Sequence, residues 1–129
     1  MGALRMMNLY RFLSFTVLQL IASVLHAEGV PPVSQELDPC FRDKVCFAQY
    51  KRARDFSDKR RYQPALDAYK EAYQRVQVPW LLVNIGRMQQ LLGNPVEAIR
   101  NYDLFMSLPG SEQYPEFLQS ARTHKAEAI

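Results

Sequence analysis

A chain of 129 residues, 22% of them charged and with a formal net charge of +3, has room for one small domain. Arg5 and Arg11 are its only charges before residue 28, so the remainder holds 14 basic and 13 acidic residues and is close to neutral. That excludes a general electrostatic claim on nucleic acid or on an anionic membrane.

Residues 1–27 have the order of a secretory signal peptide. A basic start leads into the apolar run Phe12–Leu25, and Ala27 then precedes Glu28-Gly29. The run is shorter than the roughly 20 apolar residues that span a bilayer. Two readings are open: cleavage after Ala27 and export, or an uncut signal that anchors the chain through residues 12–25. No cysteine follows the apolar run closely, so nothing points to a lipid-modified N-terminus.

Residues 28–45 read as a linker containing Cys40. The stretch from Glu28 to Pro39 has three prolines and no helical period. Asp38 before Pro39 suits a short turn toward Cys40 and Phe41. Cys40 and Cys46 suit a small local disulfide in an oxidising compartment. Six residues apart on one helix, they would face different ways, so a bond requires Cys40 to lie in a loop before the helix. A metal site is not expected: the only histidine after the signal is His124, and two thiols do not complete a zinc site.

From residue 46 onward the chain predicts a domain of helices. Phe47, Tyr50, Ala53 and Phe56 stripe a first helix over 46–57. Asp58–Arg61 interrupts it. Ala65, Leu66, Tyr69, Ala72 and Tyr73 mark a second helix over 62–76, ended by Val78-Pro79. Leu81, Leu82, Ile85 and Met88 mark a third over 80–92, closed by Gly93. Pro95 opens a fourth with Ala98, Ile99, Tyr102, Phe105 and Met106. After the break at Leu108–Ser111, Phe117, Leu118 and Ala121 mark a fifth over 115–128.

Residues 65–72 return 33 positions later as residues 98–105, with Ala65/Ala98 and Tyr69/Tyr102 in register. A period of this size marks stacked helical hairpins. Small residues at Gly86 and Ala98, and at Ala53 and Ala65, suit close helix approach within each hairpin. Tyr69 and Tyr102 would fill space between hairpins.

These residues resemble the tetratricopeptide repeat. The closer copy, about 79–112, has Trp80–Arg87, then Leu92-Gly93-Asn94-Pro95, then Glu97-Ala98-Ile99, Tyr102 and Phe105. The other, about 46–78, keeps Ala53, Phe56, Tyr62, Ala65-Leu66, Tyr69 and Ala72. It departs from the pattern at Arg60, where the family's turn has glycine, and at Arg52, where an apolar residue is usual. The resemblance covers roughly residues 46–110, and the whole is similar to short exported repeat proteins of bacterial envelopes.

The resemblance implies an all-α solenoid of two helical hairpins and a C-terminal helix. It also implies a concave groove lined by the first helix of each hairpin. That groove would present Tyr50, Lys51, Arg54, Trp80, Val83, Asn84, Arg87 and Gln90. Asn84 matches an asparagine that holds a peptide backbone or terminal carboxylate in some family members. Tyr50 and Arg54 replace the lysine and asparagine of the family's carboxylate clamp, so clamp-type chaperone binding is not expected. Trp80 suits either a peptide anchor or a packed core residue. The basic stretch Lys51–Arg61 suits either an acidic partner or a solvated face.

No nucleophile–base set and no phosphate loop is present, so neither catalysis nor a cofactor is expected. The expected function is a non-enzymatic protein-binding module, periplasmic or secreted from a bacterium. The partner would be another protein or peptide segment. The alternatives are a self-assembling envelope component without a groove ligand, or a signal-anchored adaptor. Two copies are fewer than such arrays usually need. The fifth helix must therefore cover the second hairpin. Aromatics of the first must find Phe41 and the linker, a second copy, or a partner.

Overall fold

The computed structural model describes residues 38–129, all of it helix and connecting turns. The expected signal and most of the expected linker lie outside the described residues. Six α-helices follow one another: α1 (Pro39–Arg42), α2 (Lys44–Asp58), α3 (Tyr62–Arg75), α4 (Leu81–Leu91), α5 (Pro95–Ser107) and α6 (Pro115–Ala128). A 3-10 turn, Ser111–Gln113, precedes the last. α2 pairs with α3 and α4 with α5 as hairpins, α3 packs on α4, and α6 packs on both α5 and α4. The fold is all-α. Among the described residues no helix is long and apolar enough to cross a membrane.

The structure corrects the end of the linker. Residues 38–45 belong to the folded domain. Asp38 is buried and caps α1, its carboxylate accepting from the Cys40 amide at 2.9 Å. Asp43 breaks the helix with an extended backbone and restarts it, accepting from the amides of Val45 (3.0 Å) and Cys46 (2.8 Å). Helix α2 therefore begins at Lys44 rather than Cys46. Arg75 at the end of α3 ties down the same carboxylate at 3.0 Å. The break turns Cys40 toward Cys46, and the two are joined in a disulfide with Cα atoms 5.2 Å apart. Cys40 sits in a separate one-turn helix, not in the loop that the spacing calls for.

Both hairpin turns use one hydrogen-bond pattern. In the first, the amides of Arg60 and Arg61 donate to the carbonyls of Ser57 (2.9 Å) and Phe56 (2.8 Å). In the second, the amides of Gly93 and Asn94 donate to Gln90 (3.0 Å) and Gln89 (2.9 Å). Each is a helix end closed by a left-handed residue, Arg60 at φ 57° and Gly93 at φ 80°. Glycine adopts that conformation freely, whereas in an arginine it costs about 1–2 kcal/mol.

The core is built of small residues facing aromatic ones. Ala53, Ala65, Ala72, Ala98 and Ala121 are fully buried, as are Trp80, Tyr102 and Phe105. Gly86 serves Tyr102 rather than Ala98: a Cβ at Gly86 would lie 2.5 Å from the Tyr102 Cε1 atom. The Tyr102 hydroxyl donates to Gln90 Oε1 at 2.9 Å, and its ring lies 6.2 Å from the His124 ring of α6.

Candidate functional site

A groove of about 530 Å³ runs between the C-terminal halves of α2 and α4 and the flank of α6. Arg54, Ser57 and Asp58 come from α2, and Arg87, Met88 and Leu91 from α4. Tyr62 and Tyr69 of α3 reach it from behind. Its far wall is the polar face of α6: Glu116, Gln119, Ser120, Thr123, His124 and Glu127. These wall residues recur at helical spacing, which places them on one side of α6.

The walls carry both signs of charge. Glu127 bridges the groove floor, its Oε2 lying 3.1 Å from His124 Nδ1 and 3.4 Å from Arg87 Nη1. The contact with His124, and behind it Arg87, hold this carboxyl below the usual carboxylate range. Arg54 donates to the Tyr50 hydroxyl at 3.0 Å. Tyr69 and Tyr102 have hydroxyls pushed well above the ordinary phenol range by burial.

At the N-terminal ends of α2 and α4 the groove is filled by the protein itself. Phe41 stacks on Trp80, with centroids 5.7 Å apart and planes at 23°. Tyr50 meets Trp80 edge-on at 5.2 Å, and Phe117 of α6 lies 5.6 Å from it. Trp80 Nε1 donates to Asp38 Oδ2 at 2.7 Å, and the Tyr114 hydroxyl donates to the same oxygen at 3.4 Å. The segment carrying Asp38 and Phe41 is held there by the disulfide.

This geometry sorts the eight residues expected on the groove. Arg54 and Arg87 line it. Gln90 is half-buried beside it and occupied by Tyr102. Lys51 is exposed on the outside of α2, its ammonium 4.6 Å above the Phe47 ring. Tyr50, Trp80 and Val83 are corrections: all three are buried. Trp80 is a core residue, not an exposed peptide anchor, because Phe41 and Phe117 cover it.

Asn84 is a further correction: it is buried, at 1% exposure, and does not line the groove, and neither its Nδ2 nor its Oδ1 has a hydrogen-bond partner within the protein. It shares a helix face with Arg87, Met88 and Leu91, one turn nearer the filled end. A buried amide left unpaired costs about 1–3 kcal/mol.

The α6 wall escaped the sequence reading because polar residues leave no hydrophobic period. The spacing of Glu116, Ser120, Thr123 and Glu127 was the available signal. Among the described residues no cluster of three His, Cys, Asp or Glu side chains is placed to hold a metal ion. Compared with protein-family models, with curated proteins and with solved structures, the chain matches none.

Proposed function

We propose that the chain is a non-enzymatic protein-interaction module of the tetratricopeptide kind, working in the bacterial envelope after export. It takes an extended segment of another protein along the groove between α2, α4 and α6. The observation that carries this reading is the open groove itself, where Arg54, Arg87 and Leu91 face the polar side of α6. A segment passing Arg54, Arg87 and Leu91 would meet hydroxyls and charges of both signs, which suits a polar backbone more than an apolar helix face. The resemblance of residues 46–110 to the repeat family points the same way.

Aromatics left uncovered by a short array would call for a partner or a second copy. Phe41 and Phe117 provide cover around Trp80 within one chain, so the shortage favours neither.

The test is crosslinking in the native cell, recovery of a tagged chain and mass spectrometry, with Asn84→Ala/Arg87→Ala in parallel. Asn84 is fully buried, so the variant enters the comparison only after circular dichroism and thermal unfolding show that it folds. The expected result is a partner recovered with the wild type and lost with the folded variant. Equal recovery from both chains, or recovery of only the protein itself, overturns the reading.

A further inference from the structure

The charges divide unevenly along the stack. Residues 39–75, which form α1 to α3, hold ten basic and five acidic side chains; residues 76–129 hold four and five. The excess is concentrated on one surface. Lys44, Lys51, Arg52 and Lys59 lie on the outward face of α2, opposite the buried Cys46, Tyr50 and Ala53. Arg60 and Arg61 extend it through the turn, and all six are exposed. Two acidic side chains share that face, Asp55, which is paired with Lys59 at 2.9 Å, and the exposed Asp58, seven residues after Lys51.

Two further features give the surface a chemistry. Arg52 and Arg61 both lie over the Phe56 ring, their guanidinium carbons 5.5 Å and 5.0 Å from its centroid. A guanidinium seated on a ring is held in place and still presents N–H edges, the geometry that carboxylates accept from in pairs. Arg60, between them, is held in the left-handed conformation at φ 57°, where the second hairpin has Gly93. A strained residue standing where glycine is free of strain points to use of its side chain.

We propose that the surface formed by Lys51, Arg52, Lys59, Arg60 and Arg61 docks an acidic protein segment, whose carboxylates pair with the ring-seated guanidiniums. The site is separate from the groove and does not depend on it. An acidic peptide fits better than a lipid surface. The only large apolar side chain exposed on this hairpin is Val45, so little is available to enter a bilayer. Bidentate arginine geometry also rewards carboxylates at fixed positions on a chain.

The experiment titrates the purified protein into a fluorescent oligoglutamate peptide at low and physiological salt, with phosphatidylglycerol vesicles as a second arm. We compare wild type, Arg52→Gln/Arg60→Gly/Arg61→Gln, the single Arg60→Gly, and a control, Arg100→Gln/Arg122→Gln, which removes two exposed cations elsewhere. The expected result is binding that weakens with salt and falls about tenfold in the triple variant, three exposed charge pairs being lost. Binding should be unchanged in the control. Arg60→Gly should bind about two- to threefold more weakly while its Tm rises, which separates loss of the site from loss of the fold. Equal affinity across the variants, no binding of the peptide by the wild type, or binding of vesicles without the peptide overturns the proposal. Asn84→Ala leaves this binding intact whatever it does to the groove.

Discussion

The first hairpin reverses at Arg60 and the second at Gly93, with the same two hydrogen bonds displaced by 33 residues. The interiors do not repeat so closely. Where the second hairpin has Gly86 with the Tyr102 ring laid over it, the first has Ala53, and its Tyr69 lies 6.3 Å from the Tyr50 ring and borders the groove. The comparison teaches that backbone hydrogen bonds carry the repeat, while each interior is packed to suit its own neighbours. It also shows how the two hairpins are covered: α6 closes the second, and Phe41, stapled by the Cys40–Cys46 disulfide, fills in beside the first.

The largest expected effect breaks the cover at the filled end of the groove. Trp80→Ala removes the ring shared by Phe41, Tyr50 and Phe117 and leaves the Asp38 carboxylate without its closest side-chain donor. Denaturant unfolding should show a loss of about 3–5 kcal/mol. Gly86→Ala comes next. It converts the second hairpin to the first hairpin's residue but drives a methyl into Tyr102, so a loss of about 1–3 kcal/mol is expected by the same measurement. No loss would mean that the Tyr102 ring moves aside freely.

Smaller and of opposite sign is Arg60→Gly, which gives the first turn the second's residue. Relief of the left-handed strain should raise stability by about 1 kcal/mol, read as a higher Tm. A fall would show that the arginine contributes more to the fold than its conformation costs.

The smallest effect is confined to alkaline pH. Burial raises the folded-state pKa of Tyr69 above the ordinary phenol value near 10, so the neutral hydroxyl is favoured by the fold. Its contribution is fully present below about pH 10 and is lost as pH rises from there through the folded value. Tyr69→Phe should therefore unfold at higher pH than wild type in an alkaline titration followed by circular dichroism, with little difference near pH 7.

The long helices were legible because each carries an apolar period bounded by proline, glycine or a charged turn; α6 runs over the expected residues, Pro115–Ala128. Helix α1 was not legible, since four residues are too few to show a period and Asp43 gives no sign in sequence that it will break and cap at once. Phe41 was among the covers expected for the first hairpin's aromatics, and its placement against Tyr50 and Trp80 depends on that break. Of the groove, Arg54 and Arg87 could be read from the repeat register. For Trp80 a core place and a peptide anchor were both open, and Phe41 and Phe117 packing on it decide for the core; the burial of Val83 was not legible. The opposed wall on α6 lies beyond the stretch that resembles the family.

The central claim is that the open groove receives a partner segment, and a photo-crosslinking residue tests it most directly. Leu91 lines the groove at 39% exposure, whereas Val96 on α5 lies outside it at 67%. With the probe at Leu91, crosslinking in the native cell should capture a protein that the same probe at Val96 does not, and Arg54→Ala/Arg87→Ala should abolish the capture. Equal capture from both positions, or capture of only a second copy of the chain, would contradict the account.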